Sequence, residues 1–321
     1  MIANIVWLSD RNHTLVIRDP HMKLANLEGR AVLIASDGTA HDIHELSGAR
    51  FGPDPASLFP LWDEVSQWAA QLDELADGIV VDDAKLGPPS PLPRQIIAFG
   101  LNYADHAQES GFEAPAGLPP VFPKFVSSLS GPVTTVALPE DGRIDWEVEL
   151  VVVIGRPIDG PISERDAWDH VAGVMAGQDI SDRATQFSTP APQFGLGKSF
   201  PGFAPTGPWI VTPDELPDRE DVELGCTLDG TQMQTGSTKQ LLVPIPRLLA
   251  GLSGIISLYP GDLVFTGTPE GVGVGREPQL FIQPGQELVT SVAGVGELRQ
   301  RFVRPESGHE SARRALTAVA S

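Results

Sequence analysis

A β-rich α+β fold is what the sequence predicts, and three observations predict it. Thirty prolines and 33 glycines cut the 321 residues into short pieces, the punctuation that many turns between strands require. Eight runs read as strands: RAVLIAS, QIIAFG, DWEVELVVVIG, PWIVT, VELGCTL, DLVFTG, ELVTSV and ELRQRFV, short stretches rich in β-branched and aromatic residues. Only three stretches read as helices, by apolar residues at helical spacing.

Taken in chain order, residues 1–21 read as an N-terminal extension, because Met22 opens MKLANLEGRAVLIASDG like a natural start. RAVLIAS is the first strand, and SLFPLWDEVSQWAAQLDELA the first helix. The proline-rich KLGPPSPLPR, Lys85 to Arg94, reads as a linker, which sets a small N-terminal α/β domain over 22–90 and a large β-rich domain over 91–305. In the large domain QIIAFG and DWEVELVVVIG are strands, followed by a helix over ERDAWDHVAGVMAG. Four strands and the helix IPRLLAGLSGIISLY, stopped by Pro260-Gly261, complete the pattern with ELRQRFV. Residues 306–321 are polar, then alanine-rich, and form a peripheral tail.

Bulk composition narrows the partners. A formal net charge of -20 argues against nucleic acid or an anionic membrane surface, and no apolar stretch has the length of a membrane span. The single cysteine, Cys226, excludes an internal disulfide and fits a reducing compartment, so the expected location is the cytoplasm.

Chemistry enters at IDWEVELVVVIG. Its right half, VVVIG, is a continuous apolar run of the kind found in strands covered on both faces. Its left half places Asp145, Glu147 and Glu149 at alternate positions, which in a strand point the same way. Buried carboxylates without partners cost several kcal/mol, and a bound cation removes both that cost and their mutual repulsion. Ligands that are all carboxylate oxygens select hard ions, Mg²⁺, Mn²⁺ or Ca²⁺, over Zn²⁺. The alternative is a wet edge strand. Asp179 in GQDISDRATQ offers a third carboxylate, although an Asp in a polar loop is more often a turn residue.

Other polar stretches gather around this core. In NYADHAQE, His106 and Glu109 share one face of a helical turn and can form a carboxylate-oriented base, against the commoner case of a surface His near a Glu. Lys198, in GLGKSFPGFAPTGP, is a candidate to stabilise an oxyanion or an enolate, against the plain alternative of a solvated lysine. LVFTGTPEGVGVG follows a strand with Thr266, Thr268 and several glycines, whose amides can hold a substrate carboxylate. No helix follows those glycines, so nucleotide binding is rejected.

In order, NYADHAQE, FPKFVSSLSGP, DWEVELVVVIG, GQDISDRATQ, GKSFPGFAPTGP and GDLVFTGTPEGVG resemble the fumarylacetoacetate hydrolase family, bacterial two-domain type, from about Ile96 to Val303. The resemblance implies a mixed β-roll catalytic domain, a homodimer, and Mg²⁺ or Mn²⁺ held by Glu147, Glu149 and Asp179. It implies a water-activating pair in His106 and Glu109, charge stabilisation by Lys198, and substrate contacts from Gln186 and Thr268. Arg183, Lys124, Phe125 and the Gly111–Pro123 loop, a candidate lid, are further contacts by position. Asp145 matches no ligand position and is left structural. Where many members read N-D-x-S-A-R-D-x-Q, this chain has Gln178, Asp182 and Ala184, which bears on substrate choice rather than on metal binding.

The reaction so implied is hydrolysis of a C–C bond in a 2,4-dioxo acid such as an acylpyruvate or fumarylpyruvate, through an enolate that the metal stabilises. Two enzymatic alternatives stay open: decarboxylation of a 2-oxo diacid such as oxaloacetate, and isomerisation or hydration of an unsaturated 2-oxo diacid from aromatic catabolism. A third reading is a non-catalytic, metal-stabilised acid binder, which turnover of any acylpyruvate would dismiss.

Overall fold

The computed structural model describes residues 22–72, 75, 77–109 and 117–305, without the side chains of 106–108. The expected extension 1–21, the tail 306–321, residues 111–116 of the candidate lid and the His106 side chain lie outside the described residues.

The fold is α+β and β-rich, as expected. A twelve-stranded mixed sheet runs in the order Ile79–Val80, Thr39–Asp42, Arg30–Ile34, Lys23–Leu27, Ala204–Val211, Val171–Gln178, Val148–Ile154, Leu263–Phe265, Ile96–Phe99, Val121–Pro123, with Leu86–Gly87 and Leu129–Ser130 attached off this path. A five-stranded sheet, Thr231–Ser237, Glu223–Leu228, Glu287–Val292, Gly296–Val303 and Val133–Ala137, packs against it. All eight strand-like runs are strands.

The Val148–Ile154 strand explains its own composition. All seven residues are buried. Val148, Leu150, Val152 and Ile154 join Leu224, Cys226, Leu288 and Phe302 of the second sheet. Val151 and Val153 face the other way, into a core with Leu24, Phe51, Trp62 and Phe265. With both faces covered, the run has no place for polar alternation.

One helix expected from the sequence is mostly a strand. Glu164–His170 forms a 3-10 helix, but Val171–Gln178 is a buried strand between Val148–Ile154 and Ala204–Val211. An apolar run of eight residues carries no periodicity that separates the two states, and close approach decides it. A Cβ added at Gly173 would lie 2.4 Å from the Val211 carbonyl oxygen, and one at Gly177 2.4 Å from Val151 Cγ2.

Nor is Lys85–Arg94 a free linker. Leu86 and Gly87 pair with Leu27 and Asn26, and the buried Ser90 hydroxyl donates to the Gly261 carbonyl at 2.7 Å. The chain on either side of this stretch shares one sheet, because Lys23, Leu24 and Ala25 pair with Val211, Ile210 and Trp209. Among the described residues no helix is long and apolar enough to cross a membrane.

Candidate metal centre

Local pairing brings the acidic residues together. Ile144–Asp145 pairs with Ser181–Asp182, and Val148 pairs with Gln178. The two connecting corners therefore lie side by side, and the Asp179 N–H donates to the Glu147 carbonyl at 2.9 Å. The Gln178 side-chain oxygen accepts from the Glu147 N–H at 2.9 Å, which fixes the corner. Glu149 lies across from Gly177. Glu147, Glu149 and Asp179 are buried, and each offers an oxygen within 4.8 Å of the others. Asp145 belongs to the short preceding strand and faces different partners, so alternation along the sequence overstated how alike the three strand carboxylates are.

Three cations are folded into the same cluster. Lys198, at the C-terminal end of the Phe194–Gly197 helix, donates to Glu147 Oε2 and Asp179 Oδ2, both at 2.6 Å. Burial lowers its pKa, but the charges of Asp179 and Glu147 outweigh burial and hold it above the ordinary value. Lys124, wholly buried, donates to Asp179 Oδ1 at 2.5 Å and to the Lys198 carbonyl. There burial prevails, and with the neighbouring Lys198 charge it draws the ammonium below its ordinary value. Arg183 donates to Asp145 Oδ2 at 2.8 Å, Glu147 Oε1 at 2.6 Å and Gln186 Oε1 at 2.9 Å.

Four carboxylates thus face three cations, and Glu149 is the acid left over. Burial, then the charges of Asp179 and Glu147, push its pKa well above the carboxylate range. None of the ion pairs among the described residues includes Glu149. Close by, the buried Tyr103 hydroxyl has no hydrogen-bond partner among the described residues, and the Glu149 charge adds to burial in raising its pKa. An all-oxygen, buried, net-negative donor set with an unpaired hydroxyl beside it fits a hard divalent cation such as Mg²⁺ or Mn²⁺.

The glycine-rich loop departs from expectation. Its amides do not stand open for a substrate carboxylate. Instead they bind the protein's own acids. Gly267 N–H donates to Glu149 Oε2 at 2.6 Å, and Gly271 N–H to Glu109 Oε2 at 2.9 Å. Gly273 and Val274 donate to the two oxygens of Asp145 at 2.6 and 3.0 Å. Gly271 must be glycine, since its φ is +100° and a Cβ would lie 2.3 Å from the Met233 carbonyl. The Thr268 hydroxyl accepts from Gln234 Nε2 at 2.8 Å.

A cavity of about 210 Å³ opens beside the cluster, with Glu109, Glu147, Arg183, Gln186 and Lys198 on its polar side. Thr268, Lys124 and Phe125 are not among its lining residues. Of the residues picked out by sequence, Glu109, Glu147, Glu149, Asp179, Arg183, Gln186 and Lys198 converge here. Sequence reasoning missed Tyr103, Gln234 and the ion-pairing role of Lys124. A lone lysine between aromatic residues in FPKF is the one signal that could have pointed to the last.

The family profile "Fumarylacetoacetate (FAA) hydrolase C-terminal" matches residues 95–303. A 2,4-didehydro-3-deoxy-L-rhamnonate hydrolase of Sphingomonas sp. (strain SKA58) is 41% identical over 225 residues, 70% of this chain and 78% of the relative. The mitochondrial oxaloacetate tautomerase FAHD2A of Homo sapiens is 38% identical over 216 residues, 67% of this chain and 68% of the relative. Among solved structures, an HpcE-type protein from Mycobacterium smegmatis superposes with a TM-score of 0.84 at 51% identity, covering 89% of this chain and 100% of that one. The maleylpyruvate hydrolase from Sphingobium sp. SYK-6, in complex with manganese (II) ion and pyruvate, superposes with a TM-score of 0.68 at 27% identity, covering 89% and 100%. With its profile matched across the large β-rich part and its carboxylate cluster inside that match, the chain belongs to the fumarylacetoacetate hydrolase family.

Proposed function

We propose that this chain is a divalent-metal-dependent hydrolase that cleaves a C–C bond of a 2,4-dioxo acid to a carboxylic acid and pyruvate. The observation that carries the reading is the buried Glu147, Glu149 and Asp179 cluster, bridged by Lys198, at the polar side of a cavity that Glu109 also lines. A Mg²⁺ or Mn²⁺ ion held by the three carboxylates supplies Lewis acidity that stabilises negative charge developing on the 2-oxo acid.

The chain's own groups then divide the work. Lys198 stays protonated between Glu147 and Asp179 and offers fixed positive charge to an oxyanion. Arg183 holds Glu147 and Gln186 in place at the cavity wall. His106, three residues before Glu109 on the Ala104–Glu109 helix, takes a proton from water as the water oxygen adds to the C4 carbonyl, with Glu109 orienting the imidazole. Collapse of the adduct breaks the C3–C4 bond. C4 leaves as the carboxylic acid, and the electron pair passes to C3 as the enolate of pyruvate, which is then protonated. The acting form is a homodimer in the cytoplasm; light scattering checks its mass.

The test follows the ultraviolet absorbance of acetylpyruvate with purified protein and Mg²⁺, with an EDTA control. Metal-dependent loss of absorbance with one pyruvate per substrate is expected. No loss at saturating Mg²⁺ would reject the reading. The second reading is enolisation or decarboxylation of a 2-oxo diacid, which needs no attacking water and has the 38% identical oxaloacetate tautomerase in its favour. It would then be assayed with oxaloacetate.

A further inference from the structure

A buried glutamine stands where the strand that carries Glu149 parts from its neighbour. Val148–Ile154 and Leu263–Phe265 pair from Val153 with Leu263 to Val151 with Phe265. One rung further, Thr266 still donates to the Leu150 carbonyl, at 3.3 Å from its N–H and 2.8 Å from its hydroxyl. Two more rungs of this antiparallel ladder would set Glu149 against Gly267 and Val148 against Thr268, with the Val148 N–H aimed at the Thr268 carbonyl. The chain does otherwise. Gly267 turns away at φ +103°, and its N–H goes to Glu149 Oε2 at 2.6 Å. The Val148 N–H is taken at 2.9 Å by the side-chain oxygen of Gln234, which reaches across from the five-stranded sheet.

The rest of the Gln234 amide serves the same fork. Its Nε2 donates to the Thr268 hydroxyl at 2.8 Å and to the Pro269 carbonyl at 2.7 Å, and Oε1 also accepts from the Cys226 thiol at 3.4 Å. Both donors are used and the oxygen accepts twice, so the amide has one orientation. Turned over, Nε2 would meet the Val148 N–H and the oxygen would meet the Pro269 carbonyl. Gln234 is only 1% exposed, and a polar side chain is costly between two sheets unless its groups are paired. On the other side of the strand Gln178 has a matching place, its Oε1 accepting from the Glu147 N–H at 2.9 Å. Two side-chain amides therefore fix the consecutive backbone amides of Glu147 and Val148, next to Glu149.

Resting on the metal-dependent reading above, we infer that Gln234 is a positioning residue for the carboxylate cluster. It stands in for the missing rung between Val148 and Thr268 and keeps the two strands apart at the height of Glu149. Glu149 is thereby held where its oxygen lies within 4.8 Å of those of Glu147 and Asp179, the spacing on which affinity for a divalent cation depends. Gln234 supplies no ligand atom and does not line the cavity. Without its carboxamide the buried Val148 N–H and Pro269 carbonyl lose their partners, and the ladder is free to close onto Glu149.

The experiment measures Mn²⁺ binding to the EDTA-stripped full chain by electron paramagnetic resonance, which reads the cluster without any substrate. Gln234→Met keeps the volume and removes all four hydrogen bonds. Val292→Ala, at a buried position two strands away in the same sheet, lowers stability without touching the fork. Q234M is expected to raise the Mn²⁺ Kd at least about tenfold, the lower figure for losing a group that orients a ligand, with V292A within about twofold of wild type. A smaller rise in Q234M, or an equal rise in V292A, overturns the inference. Should Q234M fail to fold, Thr268→Val removes one end of the bridge alone. It is expected to raise Kd about threefold, half of that effect in free energy, and anything less overturns the inference. If the wild type takes up no Mn²⁺, the metal reading falls, and hydrogen exchange at the Val148 amide judges the bridge separately. Exchange faster in Q234M than in V292A supports it; equal rates overturn it.

Discussion

Replacing Lys124 by methionine tests whether the cluster is held by charge balance. The Lys124 and Asp179 side chains are both fully buried, 2.5 Å apart, and removing one partner of a buried pair costs about 3–5 kcal/mol. Two features refine the figure. Asp179 keeps Lys198 at 2.6 Å, which favours the lower end, while the Lys198 carbonyl loses a donor at about 1 kcal/mol. Methionine fills the vacated volume and removes the cost of burying an ammonium. A net loss of about 3 kcal/mol, at about 2 °C per kcal/mol for a chain of this size, gives a melting temperature about 6 °C lower in EDTA. The variant also makes the cluster one charge more negative. Mg²⁺ should therefore raise its melting temperature by more degrees than it raises the wild type's, which differential scanning calorimetry with and without 10 mM Mg²⁺ measures. A K124M protein melting within about 1 °C of wild type in EDTA, or an equal Mg²⁺ response in the two, would refute the reasoning.

Glu149→Gln should abolish most of the Mg²⁺-induced rise in melting temperature, where a site filled to 100 times its Kd contributes about 2.7 kcal/mol; an undiminished rise in a thermal-shift titration removes Glu149 from the ligand set. Lys198→Met should lower kcat/KM on a cleaved acylpyruvate by about 10²–10³ in steady-state assays, and activity within tenfold of wild type would deny it the oxyanion role. Asp262 is a pH reporter away from the cluster. Burial raises its pKa above 3.8 against hydrogen bonds from Tyr259 and Gln95, so its carboxyl contributes stability that is complete below 3.8 and lost as pH climbs through the raised folded value. The cost of Asp262→Asn, read from urea midpoints, should accordingly be smaller at pH 7 than at pH 4.

How much of this was legible in the sequence depends on how local each signal was. The Val148–Ile154 strand announced itself, because its stretch Leu150–Ile154, covered on both faces, is apolar at every position. Glu147 and Glu149 were legible for the opposite reason, as charges that such a strand cannot bury alone. Val171–Gln178 was misread because its small residues answer to neighbours distant in sequence, Val211 and Val151. The Lys124–Asp179 pair and the capture of Asp145 by Gly273 and Val274 span 55 and 128 residues, and no spacing rule reaches that far. The open amides expected after Leu263–Phe265 were spoken for by acids that the sequence places more than a hundred residues earlier.

The pairing of Lys23–Leu27 with Ala204–Val211 has a consequence for modularity. The family profile begins at residue 95, yet in this chain the strand beside Val171–Gln178 finds its outer neighbour at residues 23–25. A fragment cut to the matched region would carry Trp209, Ile210 and Val211 as a short sheet rim without the partners that Ala25, Leu24 and Lys23 supply. Such a rim invites strand addition from other molecules and aggregation. The short N-terminal layer therefore serves the larger part as a built-in edge cover.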